Sequence, residues 1–424
     1  MFLHSLIDVA TVKPALEVAD VLRLHLDDYL QKYHFTTDEL RALQAIMRCR
    51  TAASGGHIRV CDSCGKFQIA YNSCGNRHCP KCGAFAQAQW MARMEGLLLP
   101  IPYFHTVFTT DHRINDLAYH NPEAIYNLLF ATASGVLKAF GKKYLGGELG
   151  WSGILHTTGQ SLQAHIHLHF MVTAGALVRT AAGYEWRKCA DGWLFPVVEL
   201  AADFRNTFCA GLLKLEQAGQ LRLVGSCARL DMAKLVQEML ATKWEVYIQK
   251  PVAGNGALTA YLGRYMQRTA ISNRRLVRLA DGQVTFEYRD NKERDEQNRG
   301  TLKRMTLPAV EFIHRFVRHI LPQGVACPER SRRVRVRHFG LHASARRLHL
   351  KVARLLLGAS FELPVVPKLE LGDWLSKLGL AAGLTCPHCG VGQLSLGRAF
   401  APLLGLRLWL LTLLGWPVLG RVQA

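Results

Sequence analysis

The sequence predicts an α+β fold, and three observations carry that expectation. Residues His165-Ile-His-Leu-His-Phe-Met-Val172 alternate side chains as a strand does, which places His165, His167 and His169 on one face. The stretch Ile154-Leu-His-Thr-Thr158 reads as a second strand, and the short polar connection 159–163 joins the two as a hairpin. On either side, long segments repeat their apolar residues at helical spacing.

Taken in order, residues 15–53 read as helices, with a capped start at Thr36-Thr-Asp-Glu39. A helix follows over 84–98, and Tyr103-Phe-His-Thr-Val-Phe-Thr109 has the β-branched and aromatic content of a strand. Residues 122–141 form an amphipathic helix, and glycines around 146–150 turn the chain toward the histidine hairpin. Residues 178–197 read as a polar β-region. Helices over 199–218 and 230–242 lead to a strand at 244–249, and a glycine-rich turn then precedes a helix bearing Tyr261 and Tyr265. Arginine-rich strands flank Asp281-Gly282 as a hairpin, and 308–320 is a further amphipathic helix. The elements divide into residues 1–98, 99–290 and a basic C-terminal extension, 291–424, that is mixed but mostly helical.

The chain has 424 residues, 49% of them hydrophobic, which is enough for a large core. Lysine and arginine number 52 against 32 acidic residues, a formal net charge of +20. That excess favours a polyanionic partner, nucleic acid before an anionic membrane surface. The N-terminus lacks the basic and apolar regions of a signal peptide. The apolar stretch 399–419 is interrupted by Arg407 and flanked by Pro402 and Pro417, so it reads as a C-terminal helix and no membrane span is expected.

The twelve cysteines cluster instead of forming a disulfide-like array. Cys61-Asp-Ser-Cys64 and Cys79-Pro-Lys-Cys82 are two knuckles that can offer four thiolates to one tetrahedral, structural zinc, with His57, Cys74 and His78 in reserve. Between them, Lys66, Tyr71, Asn72, Asn76 and Arg77 suit phosphate and base contact or, equally, a solvated loop. Cys386-Pro-His-Cys389 is a third knuckle with no evident partner.

Two sets of residues suggest phosphoryl transfer. Tyr261 and Tyr265 share a helix face at i,i+4, and Arg264, Arg268, Arg274, Arg275 and Arg278 surround them with phosphate-binding charge; Arg77, Arg264, Arg268, Asn273, Arg274 and Arg275 are the candidate DNA contacts. Neighbouring histidines on the strand stand roughly 7 Å apart along the backbone, close enough to share a cation. His167 and His169 are the preferred ligands, with His156, His165 or Gln160 as the third.

These motifs together resemble the two-tyrosine HUH transposases of rolling-circle bacterial insertion sequences with an N-terminal zinc-binding domain. The resemblance runs through Cys49-Arg-Thr-Ala-Ala53, residues 71–82 and 102–109, Leu155-His-Thr157, His165–Val172, Tyr261-Leu-Gly-Arg-Tyr265, Ala270–Leu276 and His319-Ile-Leu-Pro322. It implies an HUH-type catalytic domain, an antiparallel sheet flanked by helices. His167 and His169 would be the metal pair for Mg²⁺ or Mn²⁺, and Tyr261 and Tyr265 the nucleophiles. The substrate would be single-stranded DNA at element ends and at the target. Host replication proteins would be further partners, and the bacterial nucleoid in the cytoplasm the site of action. The family has a proline where Ile166 stands and a tryptophan at Thr158. Residues 325–333 look like an insertion. A rolling-circle replication initiator and a DNA-binding repressor that has lost catalysis are the alternatives.

Overall fold

The computed structural model describes residues 15–190, 192–252, 269–294, 300–321, 336–364, 373 and 384–402. The fold is α+β, with antiparallel sheets and packed helices.

Helices α1 (Val18–Lys32) and α2 (Thr37–Arg48) open the chain. Thr36 caps α2 reciprocally: its hydroxyl accepts from the Glu39 amide, and the Glu39 carboxylate accepts from the Thr36 amide at 2.6 Å. Strands β1 (Gly56–Cys61) and β2 (Phe67–Tyr71) form a hairpin, and α3 (Gly83–Glu95) leads into the central body.

That body begins with β3 (Tyr103–Thr109), α4 (Asn115–His120) and α5 (Pro122–Phe140), then β4 (Gly150–Thr158) and β5 (Ala164–Thr173). A small ribbon, β6 (Gly175–Thr180) and β7 (Gly183–Lys188), precedes α6 (Val197–Gln217), α7 (Met232–Ala241) and β8 (Val246–Val252). Strands β9 (Leu276–Ala280), β10 (Gln283–Arg294) and β11 (Gly300–Pro308) form a meander that ends in α8 (Ala309–Val317). Then come β12 (Val336–Gly340), α9 (Arg347–Leu356) and β13 (Leu394–Phe400).

The central sheet has the order β12-β4-β5-β3-β8, antiparallel throughout. Its two faces differ because side chains alternate along each strand. Phe104, Phe108, Leu155, Leu168 and Phe170 face a core built with α5 and α6, where Phe130, Leu129, Phe204 and Phe208 are buried. Each such side chain contributes about 1.5–3 kcal/mol by leaving water. Gly153 pairs with Phe170 in this sheet, and a Cβ there would lie 2.1 Å from the Phe170 ring. Any side chain at position 153 would therefore displace that ring. The opposite face carries the histidines. Among the described residues one helix, Pro122–Leu145, is long and apolar enough to cross a membrane, and most of it is buried in this core.

A second core joins elements distant in sequence. Val18, Val21 and Leu22 of α1 and Leu43 and Ile46 of α2 pack with Val284 and Phe286 of the meander and with Phe312, Ile313 and Phe316 of α8. The expected boundary at residue 290 falls inside β10, whose pairing with β11 continues to Arg294 and Gly300. The division into 1–98 and 291–424 is also crossed. α8 packs on α1, β12 completes the central sheet, and β13 completes a three-stranded sheet of order β13-β1-β2. Apolar periodicity reports that a face is buried, not which remote segment buries it.

Candidate metal centre and nucleic-acid cleft

The histidine face is assembled by strand register. His167 of β5 pairs with His156 of β4, so both project on the same side. His169 follows two residues on, and its neighbour on β3, Val107, lies two residues from His105. One nitrogen from each of His156, His167 and His169 lies within 4.8 Å of the others. The expected pair, His167 and His169, thus comes together with His156 as the third member. His165 is exposed at the strand entrance and stands outside the group. Gln160 lines the same cleft and uses its backbone carbonyl to accept from Arg275.

Hydrogen bonds fix the tautomers of His167 and His169. His167 Nδ1 lies 2.9 Å from the His165 carbonyl, which can only accept, so Nδ1 carries the proton and Nε2 the lone pair. His169 Nδ1 lies 2.8 Å from His105 Nε2, and His105 Nδ1 lies 3.3 Å from Gln249 Oε1. In this chain His105 donates to the Gln249 oxygen and accepts from His169, which puts the His169 proton on Nδ1 and its lone pair on Nε2. Burial pushes the His105 pKa down to about 4, opposed by the Gln249 hydrogen bond, so the ring is neutral and able to accept. The His105 and His169 rings stack with an interplanar angle of 7°. Three imidazoles, two of them with set tautomers, fit a divalent cation. An all-nitrogen donor set favours Mn²⁺ over Mg²⁺, whose preference is for oxygen.

His105 was not expected from sequence. Its signal was the alternation of Tyr103, His105, Val107 and Thr109, but only the pairing of β3 with β5 shows which face these share.

The histidines floor a cleft of about 1020 Å³ whose walls include Tyr247, Gln249, Ser272, Arg275, Tyr288 and Arg289. Arg275 donates through Nε to the Glu287 carbonyl at 2.6 Å and packs over the Phe286 ring. Arg274 is exposed beside it. Asn273 departs from its expected place at the DNA: it is buried, and its Oδ1 accepts from the Val18 amide at 3.1 Å. It satisfies one of the orphan amides at the start of α1. Arg77 is likewise engaged within the protein, donating to the Leu321 carbonyl at 2.9 Å and to His78 Nε2 at 3.1 Å. It ties the cysteine-rich segment to the end of the segment that follows α8. Tyr261, Tyr265, Arg264 and Arg268 lie outside the described residues.

The cysteine assignment also needs correction. Cys61, Cys64, Cys79 and Cys82 do not share a site. Cys79 and Cys82 join Cys49 and Cys74, while Cys61 and Cys64 join Cys386 and Cys389. The reason is topological. Cys79 and Cys82 sit at the start of α3, packed beside Cys49 at the end of α2, whereas Cys61 ends β1, whose edge is occupied by β13. In the first group Cys82 Sγ lies 3.3 Å from Cys49 Sγ and 3.6 Å from Cys74 Sγ. Hydrogen bonds from Cys49, Cys74 and Cys79 hold the Cys82 thiol well below its ordinary pKa. Backbone amides of Cys74 and Asn76 point at Cys49 and Cys74 sulfurs, each at 3.4 Å. Such a set fits a closed, structural zinc site.

Fold and site together present a histidine group able to hold a divalent cation in an arginine-lined cleft, and cysteine groups able to hold zinc. Comparison with known proteins gives the family. A model described as a putative transposase matches residues 150–349, and one described as a transposase zinc-binding domain matches residues 21–110. A putative transposase, y4qJ, of Sinorhizobium fredii is 37% identical over 389 residues, covering 89% of this chain and 94% of the relative. The transposase for insertion sequence element IS801 of Pseudomonas savastanoi pv. phaseolicola is 27% identical over 317 residues, or 72% of this chain and 70% of that protein. No solved structure matches significantly. The chain belongs to the two-tyrosine HUH transposases of insertion sequences that carry an N-terminal zinc-binding domain.

Proposed function

We propose that this transposase nicks and transfers single-stranded DNA through 5′-phosphotyrosine intermediates in rolling-circle transposition. The observation that carries the reading is the His156, His167 and His169 group at the floor of an arginine-walled cleft. These three residues would hold Mn²⁺ or Mg²⁺, and the cation would polarise the scissile phosphate and ease departure of the 3′ oxygen. His105 and Gln249 would keep His169 in the required tautomer. Arg274, exposed near the cleft, and Arg275 in its wall would attract the strand electrostatically. Tyr261 and Tyr265 would be the nucleophiles. Attack of one phenolate oxygen on the phosphorus forms the tyrosine ester and releases a 3′ hydroxyl. The second tyrosine acts on the next strand, and a 3′ hydroxyl resolves the first ester. Action at the nucleoid in the cytoplasm, with host replication proteins supplying the displaced strand, completes this reading.

A covalent-capture experiment with labelled single-stranded DNA from the element ends tests it. A metal-dependent, denaturation-resistant adduct that disappears in Tyr261→Phe/Tyr265→Phe is expected. Tight DNA binding without any adduct would instead favour a repressor that has lost catalysis.

A further inference from the structure

The second cysteine group joins parts of the chain that are more than 300 residues apart. Cys61 Sγ lies 3.7 Å from Cys389 Sγ, with a sequence separation of 328 residues, and Cys64 Sγ lies 3.8 Å from Cys386 Sγ. A tetrahedron of Zn–S bonds of about 2.3 Å has an S···S edge of about 3.8 Å, whereas a disulfide needs about 2.05 Å. The spacing therefore suits a tetrathiolate metal site.

The two knuckles repeat one geometry. In Cys61-Asp-Ser-Cys64-Gly65 the Ser63 amide donates to Cys61 Sγ at 3.4 Å, and the Gly65 amide donates to the Cys61 carbonyl at 3.1 Å. In Cys386-Pro-His-Cys389-Gly390 the His388 amide donates to Cys386 Sγ at 3.4 Å, and the Gly390 amide donates to the Cys386 carbonyl at 2.9 Å. Both glycines have left-handed backbone, with φ of 68° and 71°. Amide donors aimed at sulfur favour the thiolate over the thiol.

The surroundings are built for close approach. A Cβ on Gly392 would lie 2.4 Å from Cys61 Sγ, and the Gly392 amide donates to Cys389 Sγ at 3.3 Å. Gln393 and Asp62 exchange hydrogen bonds, the Gln393 amide to Asp62 Oδ1 at 2.8 Å and the Asp62 amide to the Gln393 carbonyl at 3.1 Å. From there β13 runs along β1, pairing Leu394 with Cys61 and Phe400 with Gly56. At the far end the Phe400 ring meets Tyr71 edge-on.

We propose that Cys61, Cys64, Cys386 and Cys389 bind one zinc ion that closes a split zinc ribbon, clasping the C-terminal strand onto the N-terminal zinc-binding domain. The N-terminal domain is then incomplete without a segment from beyond the catalytic body. Zinc here supplies the four bonds that offset the entropy of closing a loop of more than 300 residues. Binding releases the protons of whichever thiols are still protonated, so four thiolates and Zn²⁺ form the site without a redox step. The proposal does not depend on the phosphotyrosine reading, because neither the ligands nor the test involves DNA.

The test uses the full chain with a specific protease site inserted between residues 364 and 384. After purification with zinc, wild-type and Cys386→Ser/Cys389→Ser proteins are cleaved, and fragment retention is measured by size-exclusion chromatography. Zinc per chain is measured by mass spectrometry of the eluted body. Wild type is expected to retain the C-terminal fragment and to carry one zinc more than the double variant. The double variant should release the fragment while keeping the Cys49 group loaded. If the double variant fails to fold, cleaved wild type alone decides: retention with zinc and release by chelator support the clasp. Release from zinc-loaded wild type overturns it, as does equal zinc content with equal retention in the variant.

Discussion

Replacing His105 with leucine removes the acceptor behind His169 while keeping a side chain of similar bulk. In the native protein His105 Nε2 lies 2.8 Å from His169 Nδ1, and the pair is buried. That contact orients the His169 ring and raises its basicity toward a cation. Loss of such an outer partner typically weakens metal affinity by about 10–100-fold, or about 1.4–2.7 kcal/mol. The hydrogen bond itself lies in a buried setting, where removing one partner costs about 1–3 kcal/mol, which agrees with that range. Leucine regains apolar burial, so the fold should change little in stability. Titration of Mn²⁺ followed by electron paramagnetic resonance reads the affinity directly, without DNA or turnover. The expected result is a 10–100-fold higher dissociation constant with unchanged circular dichroism. His105→Gln should recover part of the loss, because its amide oxygen can accept from His169. An unchanged Mn²⁺ affinity in His105→Leu would refute the tautomer chain.

Asn273→Ala should lower the unfolding free energy by about 1 kcal/mol, the usual worth of a side-chain helix cap, and leave DNA affinity unchanged in a binding titration. Weaker DNA binding at an unaltered denaturation midpoint would return Asn273 to the DNA interface. Gly153→Ala drives a Cβ against the Phe170 ring and should cost about 1–3 kcal/mol by overpacking, read from urea unfolding. A neutral result would mean that the two strands separate freely there. Burial, with a smaller contribution from nearby His338, pushes His342 down to about 3, and its Nδ1 meets Ser152 Oγ at 2.9 Å. Because the folded pKa is below the unfolded value, His342 favours folding above about pH 6.5 and loses that contribution as the pH falls toward 3. His342→Gln should therefore reduce the pH dependence of stability in that window by up to about 1.4 kcal/mol per pH unit. Identical slopes in the two proteins would count against it.

Local signals in the sequence were informative where the physics is local. The reciprocal cap at Thr36 and Glu39, the strand 103–109, the α5 helix and the alternation of β5 all follow from neighbouring residues, and each was legible. That His167 and His169 share one strand face was legible for the same reason. Register was not. Whether His156 or His165 completes the group depends on which β4 residue lies opposite His167, and a bulge between His156 and Thr158 sets that register. The cysteine knuckles illustrate the same limit. Each CxxC is a local motif, but the partner of Cys61 and Cys64 is chosen by β1–β13 pairing across most of the chain. Asn273 sits among arginines in sequence, yet its neighbour in space is the first turn of α1. A composition argument sees the arginines and not the helix end.

The measurement that bears most directly on the central claim is covalent capture by purified protein of single-stranded DNA from the element ends. It should be run with Mn²⁺, with chelator, and with His167→Ala/His169→Ala and Tyr261→Phe/Tyr265→Phe beside wild type. The account predicts a denaturation-resistant adduct with wild type and Mn²⁺, none with chelator or with either variant, and DNA binding retained by both variants. An adduct that forms in chelator, or that survives removal of both tyrosines, would contradict it.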